Sequence, residues 1–499
     1  ENPFPAVCGR ICPHNCESEC TRGDIDEPVA IDEVKKFIAR KDLESEHRFV
    51  PEKWNSEGKK IAVIGSGPAG LSCAYYLAVL GHQVTVFEKE AAPGGMMRFG
   101  IPSFRLEKDI VDAEIDIIRE LGVEIRCDVE VGRDITLDDL RAEGYRGFYV
   151  AIGLQSGGSL RIEGEDAEGA EPGISLMKRV NGGEDVKLNG RVAVIGGGNI
   201  ACDVARTAVR CGAESVDMYC LEGYEEMPCG AEDRTDCEMD GVKIQAGWGP
   251  LSIGKEGNKC SALTLRRCLS VKDGEGRFAP VFDDKDTTSV KADYVFYCIG
   301  QRTDWGSLLE GTKVELNPNG TAKADGRTYQ TAQPDVFVGG DAYTGQKFCI
   351  DAIAAGKEGA DSLHRYVWEG HSLTLGRVPR DNFHYIDKEN VDFKRVEREE
   401  TPRQKPALDE SKRLSFRDGR CALTEEQVKK ETARCLSCGA ARVDENICIG
   451  CGLCTTRCKF DAISLHREFD AWGVPYEKLV GHVVKDTLKK VGRAVTRKD

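Results

Sequence analysis

Two segments of the chain repeat one pattern: an apolar strand, a glycine-rich turn and a helix. The first reads IAVIGSGPAGLSCAYYL, with glycines at 65, 67 and 70, and the second reads VAVIGGGNIACDVARTAV, where Ala201 takes the third glycine position. In such a turn the glycines allow a tight reversal, close approach of a pyrophosphate and close packing of the helix on the strand. The pattern therefore predicts an α/β fold class with two Rossmann-like dinucleotide-binding domains.

An acidic residue ends the strand that follows each loop. Glu88 closes VTVFE and Glu222 closes MYCLE. A carboxylate there binds both hydroxyls of an adenosine ribose and disfavours a 2′-phosphate. At the second loop this favours NAD(H) over NADP(H), although Arg266 and Arg267 remain available to bind a phosphate. A duplicated domain that no longer binds nucleotide is the alternative.

Later segments complete the first site. PGGMMRFGIPSFRL lies immediately downstream of Glu88. VFVGGDAYTG precedes a helix that is predicted to begin near Asp351 and to point its positive end at a flavin ring. One site built from both ends of a split domain suits FAD. The predicted FAD residues are Gly65, Ser66, Gly67, Pro68, Ala69, Gly70, Glu88, Lys89, Gly95, Met96, Arg98, Val131, Ala151, Gly153, Gly340, Asp341, Asp351 and Ala352. The predicted nicotinamide dinucleotide residues are Gly196, Gly197, Gly198, Asn199, Ile200, Ala201, Glu222 and Gly300.

The 22 cysteines are the second constraint. No apolar run is long enough to span a bilayer and no secretory signal is visible, so the sequence predicts a cytoplasmic protein with reduced thiols. Clustered cysteines then favour metal sites over disulfides. The net charge of -15 argues against nucleic acid and anionic membranes as partners.

Cysteines cluster at both ends. Cys448-x2-Cys451-x2-Cys454-x3-Cys458 is a bacterial ferredoxin run, whose last cysteine normally ligates another cluster. Cys435-x2-Cys438 could supply that second site, but its half-motif is incomplete, and zinc is the alternative. At the other end, the x3 spacing places cysteines on one helix face or around a turn. The predicted ligands of at least two 4Fe-4S clusters are Cys8, Cys12, Cys16, Cys20, Cys435, Cys438, Cys448, Cys451, Cys454 and Cys458.

These segments together resemble the glutamate synthase small-subunit family. The resemblance rests on VCGRICPHNCESEC, GGMMRFGIPSFRL and VFVGGDAYTG as well as on the two loops. Relatives in that family include the large subunit of the bifurcating NADH-dependent ferredoxin:NADP oxidoreductase and beta subunits of NADPH-oxidising iron reductases. The resemblance implies FAD on the first loop, a nicotinamide cofactor on the second, and N-terminal clusters that Cys12, Cys16 and Cys20 match best. Many relatives carry an Arg-Arg pair where this chain has Cys220-Leu221-Glu222, which weakens the case for NADP.

The predicted organisation has six parts. They are an N-terminal iron–sulfur helical domain (1–57), an FAD domain in two parts (58–157 and 300–371), an NAD(P) domain (158–299), a linker (372–420) and a ferredoxin-like α+β domain (421–499).

The predicted function is that of an electron-transfer flavoprotein subunit that links NAD(P)H, FAD and iron–sulfur clusters. It would work in a larger redox complex, with ferredoxin-like, hydrogenase or formate dehydrogenase-type partners, ferredoxin as one acceptor and electron bifurcation as one option. No catalytic acid or base is predicted, because flavin and nicotinamide carry the hydride chemistry. The alternatives are a glutamate synthase small subunit that feeds an amidotransferase, and a wiring subunit with an idle nicotinamide site. A disulfide reductase is disfavoured because no CxxC lies between Cys20 and Cys435.

Overall fold

The computed structural model describes residues 2–54, 58–368, 370–377, 402–438, 443, 448–457, 463–465 and 476–496. The chain divides into two compact units, Glu1–Ser437 and Cys438–Asp499. Within the described residues, none of the helices has the length and apolar character that a membrane crossing needs.

The helices and strands are as follows. The helices are α1 (Pro5–Ile11), α2 (Asn15–Ser18), α3 (Ile31–Leu43), α4 (Pro68–Val79), α5 (Met96–Phe99), α6 (Lys108–Glu120), α7 (Leu137–Ala142), α8 (Gly173–Asn181), α9 (Asn199–Arg210), α10 (Ala231–Met239), α11 (Asp341–Thr344), α12 (Cys349–Tyr366), α13 (Glu425–Ala433), α14 (Leu453–Arg457) and α15 (Tyr476–Thr496). The strands are β1 (Lys60–Ile64), β2 (Gln83–Phe87), β3 (Glu124–Arg126), β4 (Phe148–Val150), β5 (Ser156–Gly157), β6 (Ala170–Pro172), β7 (Arg191–Ile195), β8 (Ser215–Cys220), β9 (Lys243–Ala246), β10 (Trp248–Glu256), β11 (Lys259–Lys272), β12 (Phe278–Lys291), β13 (Tyr294–Tyr297), β14 (Gln301–Arg302) and β15 (Val336–Val338).

The first sheet has the order β15-β4-β1-β2-β3, and all its strands run parallel. Its central strands are buried apolar runs, because helices cover both faces of such a sheet. In β1 the four residues from Ile61 to Ile64 are buried. Strand β15 comes from late in the chain and pairs with β4, so the segment that carries Gly340 and Asp341 returns to this sheet.

The second sheet, β6-β13-β7-β8-β9, is also parallel. Helix α9 begins at Asn199, directly after the second glycine loop, as α4 begins at Pro68 after the first. The predicted α/β class with two Rossmann-like domains is confirmed.

A three-stranded antiparallel sheet, β10-β11-β12, is inserted into the second domain and was not predicted. Strand β12 is largely exposed and rich in Asp, Thr and Lys. It therefore lacks the apolar alternation that marks a half-buried strand in a sequence.

The N-terminal helices pack on the first domain. Helix α1 lies on α3, and its first backbone amides point at a buried carboxylate of α6. Glu114 accepts hydrogen bonds from Ala6 N (2.6 Å) and Val7 N (3.0 Å). This contact fixes the first cysteine-bearing helix against the FAD domain.

In the second unit, the described residues include α14 and α15. Helix α14 follows Cys451 and contains Cys454, while Cys458 lies outside the described residues.

Candidate cofactor site

The first glycine loop has the geometry that a pyrophosphate requires. Gly65 has φ +99°, and a Cβ at this position would lie 2.6 Å from the carbonyl oxygen of Ala151. A Cβ on Gly70 would lie 2.0 Å from the Gly65 carbonyl oxygen, whereas the space around Gly67 is open. The middle glycine thus leaves room for a ligand at the N-terminus of α4, where backbone N–H groups favour an anion.

Glu88 sits beside this loop and is buried. Its Oε2 accepts hydrogen bonds from Ser66 N (2.9 Å) and Ser66 Oγ (2.5 Å), and its Oε1 accepts one from Glu90 N (2.9 Å). A carboxylate has about four lone-pair sites, so acceptor capacity remains for ribose hydroxyls. The Glu88 side chain therefore holds the loop in shape and keeps acceptor sites free for the hydroxyls of a ribose.

Both nucleotide loops open into one cavity of about 680 Å³. The predicted residues that line it are Gly65, Ser66, Gly67, Pro68, Ala69, Glu88, Lys89, Gly95, Met96, Val131, Ala151, Gly153, Gly340, Asp341 and Ala352 around the first loop, and Gly198, Asn199, Ile200 and Gly300 around the second. Burial raises the pKa of Asp341 to about 6. The shared cavity allows a flavin and a nicotinamide to meet.

Seven predicted residues lie outside the lining of this cavity: Gly70, Arg98, Asp351, Gly196, Gly197, Ala201 and Glu222. Arg98 pairs with Asp112 and donates to the Pro93 carbonyl. The Asp351 carboxylate accepts a hydrogen bond from Phe348 N (3.1 Å) and so caps α12, which begins two residues before it.

Glu222 faces the second glycine loop. A Cβ on Gly197 would lie 3.1 Å from Glu222 Oε2, and the space around Gly198 is open. The Glu222 carboxylate therefore lies beside the second glycine turn.

An ion pair joins the two dinucleotide domains at the cavity, and sequence patterns did not reveal it. Arg105, from the FAD domain, donates from Nη1 to both carboxylate oxygens of Asp203 on α9 (2.9 and 3.0 Å), and both residues line the cavity. Burial raises the pKa of Asp203 despite the guanidinium beside it. The only signal was that each residue lies within a segment already assigned to a cofactor.

The N-terminal cysteines approach the cavity from the side of α1. Ile11 and Cys349 both line it. Burial raises the pKa of Cys349 far above its usual value, and the thiols of Cys8 and Cys12 are near enough to raise it further. The first cysteine segment is thus a neighbour of the predicted flavin site.

The cysteines predicted as cluster ligands differ in how exposed their side chains are. Cys8 is buried, which raises the pKa of its thiol to about 11, while Cys12 and Cys20 are half-buried and Cys16 is exposed. Cys435, Cys438, Cys448, Cys451 and Cys454 are exposed. In the described part of the chain, no three His, Cys, Asp or Glu side chains converge as metal ligands. The thiol donors have the chemistry that iron–sulfur clusters need, and the ligand sets stay predictions.

Comparison with protein families accounts for most of the chain. Residues 59–359 match the pyridine nucleotide-disulphide oxidoreductase family. Residues 1–47 match the 4Fe-4S cluster domain II of dihydropyrimidine dehydrogenase, and residues 441–464 match a 4Fe-4S binding domain.

Three similar curated proteins are redox proteins. Over 389 residues the chain is 36% identical to the NADP(+)-dependent formate dehydrogenase subunit beta of Moorella thermoacetica. The aligned region covers 73% of this chain and 55% of that protein. It is 35% identical to the NAD-dependent dihydropyrimidine dehydrogenase subunit PreT of Escherichia coli K12, covering 73% of this chain and 82% of that one. It is 33% identical to the Escherichia coli K12 glutamate synthase [NADPH] small chain, covering 73% of this chain and 81% of that one. The predicted family resemblance is confirmed.

Solved structures agree on the fold. FprA, a Mycobacterium tuberculosis oxidoreductase, superposes with a TM-score of 0.55 at 18% identity, over 62% of this chain and 85% of that one. Because residues 59–359 match it, the chain belongs to the pyridine nucleotide-disulphide oxidoreductase family, carries 4Fe-4S domains before and after that core in the sequence, and is an FAD-dependent NAD(P)H oxidoreductase.

Proposed function

We propose that the chain is an electron-transfer subunit in which a nicotinamide dinucleotide and FAD exchange hydride, while iron–sulfur clusters carry single electrons to a partner. The observation that carries this proposal is the cavity shared by the two glycine loops. Hydride transfer needs the two reacting rings in contact, and a common cavity permits that contact.

The residues of this chain would act by binding and orientation. The open space at Gly67 and Gly198 would admit the two pyrophosphates, and Glu88 would bind the ribose of FAD. The ion pair between Arg105 and Asp203 would hold α9, and with it the second loop, towards the flavin site.

We propose NAD(H) as the preferred nucleotide. Glu222 lies against Gly197, where its charge would repel a 2′-phosphate and its oxygens would accept from two ribose hydroxyls. Arg266 and Arg267 are both paired with aspartates of the inserted sheet: Arg266 with Asp284 (2.9 Å) and Arg267 with Asp286 (3.2 Å). These pairs support the choice of NAD(H).

We propose the cysteines at the two ends as cluster ligands. Cys8, Cys12, Cys16 and Cys20 would serve the N-terminal site, and the cysteines from Cys435 onwards, including Cys458, the C-terminal ones. The partner would be another redox subunit in the cytoplasm, of the formate dehydrogenase, hydrogenase or ferredoxin class. The match to a 4Fe-4S domain at residues 441–464 supports such a partner over an amidotransferase.

An anaerobic titration of the purified chain with NADH, and separately with NADPH, tests this function. We expect NADH to bleach the flavin absorbance and to produce the EPR signals of reduced clusters. Bleaching without cluster signals would refute the electron-transfer role. No bleaching with either nucleotide, despite bound FAD, would refute the nicotinamide assignment and favour a wiring subunit.

A further inference from the structure

The segment 402–434, here called the C-terminal strap, is held on the N-terminal domain by buried charges. Glu431 and Arg434, at the end of α13, are 0% and 1% exposed. Arg434 Nη1 donates to Glu431 Oε1 over 2.7 Å. Charges buried this deeply persist only when further hydrogen bonds satisfy them, so their remaining partners show what the pair holds in place.

Glu431 joins three parts of the chain. Its Oε1 also accepts a hydrogen bond from Ala30 N (2.8 Å) in the N-terminal domain, and its Oε2 accepts one from Gln404 N (2.6 Å) at the start of the strap. Both carboxylate oxygens of Glu431 therefore accept a backbone N–H group. The neutral amide of a glutamine has only one oxygen, so it could accept on one side only.

Arg434 reaches further into the N-terminal domain. It donates from Nη2 to the Glu27 carbonyl (2.6 Å) and to Asp26 Oδ1 (3.1 Å). In return, the buried Arg22 donates from Nη1 to the Arg434 carbonyl (3.2 Å). Arg22 lies two residues after Cys20, and Arg434 lies one residue before Cys435. The two cysteine segments are thus connected through one pair of arginines.

The other end of the strap is fixed beside the same cysteine segment. Arg403 pairs with Glu17 (2.5 Å), which follows Cys16 and is itself buried. Glu17 Oε1 also accepts a hydrogen bond from Asp32 N (2.9 Å) at the start of α3. The strap therefore begins and ends on the residues that surround Cys16 and Cys20.

We propose that Glu431 and Arg434 are positioning residues that fix Cys435 on the N-terminal iron–sulfur domain, near Cys20, so that the cluster to which Cys435 contributes assembles at this junction. The proposal rests on the proposed function only in taking Cys435 as a cluster ligand. The Cys435 thiol is exposed and therefore accessible to a cluster, and it belongs to the same compact unit as Cys20.

The helix itself supplies a matched control. On the outer face of α13, Glu426 pairs with Lys430 (2.8 Å), and both side chains are exposed. Glu426→Gln and Glu431→Gln make the same chemical change five residues apart on one helix. Only Glu431→Gln puts an amide NH2 group where a carboxylate oxygen accepts a backbone N–H group.

The test uses the full chain, reconstituted anaerobically with iron and sulfide and reduced with dithionite. Amide exchange of residues 432–438 reports the positioning, and iron content together with the EPR spectrum reports the cluster. Cys435→Ser first identifies the EPR component that depends on this thiol. We expect Glu431→Gln to speed exchange at least about tenfold and to lose that same component, while Glu426→Gln matches the wild type.

Unchanged iron and EPR in Cys435→Ser, or a wild-type spectrum and exchange rate in Glu431→Gln, would overturn the proposal. If Glu431→Gln does not fold, Arg434→Lys keeps the charge while removing the forked donor, and the same two results decide. Dithionite reduces clusters without nucleotide or flavin. A failed NADH titration would therefore refute the proposed function and leave this test unaffected.

Discussion

Replacing Arg105 by Met should destabilise the fold strongly, because it leaves a buried carboxylate without its partner. Asp203 is 7% exposed and accepts two hydrogen bonds from Arg105, whose Nη1 also lies 3.6 Å from Asp233 Oδ1. Removing one member of a buried ion pair costs about 3–5 kcal/mol. Methionine keeps most of the apolar stem, so the loss reports the charge and not a cavity.

The cost should depend on pH in a defined direction. The pKa of Asp203 is already raised by burial, and removing Arg105 raises it further. The folded variant then binds a proton that the unfolded chain releases, so its stability falls as the pH rises above the ordinary aspartate range. Unfolding by urea at pH 5 and pH 8 should show the larger deficit at pH 8.

Lys178→Met is the matched control for this experiment. Lys178 pairs with Glu90 over 2.6 Å and also joins the NAD(P) and FAD domains, but its side chain is 53% exposed. Such a pair contributes about 0–1 kcal/mol. Arg105→Met should also slow flavin reduction by NADH in stopped flow. Equal free energies of unfolding for the two variants, within about 0.5 kcal/mol, would refute the account of the interdomain pair.

Two further predictions concern the nucleotide and the pH response. Glu222→Ala should raise the KM for NADH by about 10–100-fold, the value of a charged hydrogen bond, without weakening NADPH; unchanged NADH kinetics would remove the ribose assignment. His82 accepts from Lys59 N at Nδ1 (3.1 Å) and lies 2.9 Å from His364 Nδ1 at Nε2, so it is neutral, and burial lowers its pKa from 6.5 to about 4. The unfolded chain therefore takes up a proton between pH 6.5 and 4 that the folded chain refuses, and stability falls as the pH drops through that window. In His82→Asn this part of the urea midpoint's pH dependence should vanish, and a persisting dependence of equal size would contradict the assignment.

The fold could be predicted from the sequence because its signals are local. Each glycine loop, its flanking strand and its helix lie within one short segment. The demand for glycine at 70 comes from the Gly65 carbonyl of the same loop, and the positive φ of Gly65 belongs to the turn itself. The inserted sheet β10-β11-β12 could not be predicted, since its outer strand has no buried face that would impose an alternating pattern. Apolar patterning reports burial, and an exposed strand leaves little trace of it.

The glycine loops of the candidate site could be predicted from the sequence, but the side-chain contacts between its domains could not. Arg105 and Asp203 come from different domains, and no rule of spacing relates two residues that only the tertiary fold brings together. The same holds for Cys349, which lies near Cys8 and Cys12 although the sequence separates it from them by the whole dinucleotide core.

Within the first compact unit, the N-terminal domain contacts both the FAD domain and the C-terminal strap. Three buried or nearly buried carboxylates attach it: Glu114 holds α1 on the FAD domain, Asp418 of the strap pairs with Lys36 of α3 (3.1 Å), and Glu431 holds α13. A segment of this size buries little apolar surface alone, so its structure must depend on such neighbours. The order of the first cysteine segment is therefore a property of the whole first compact unit. Substitutions at these carboxylates should disturb the N-terminal iron–sulfur site before they unfold either dinucleotide domain.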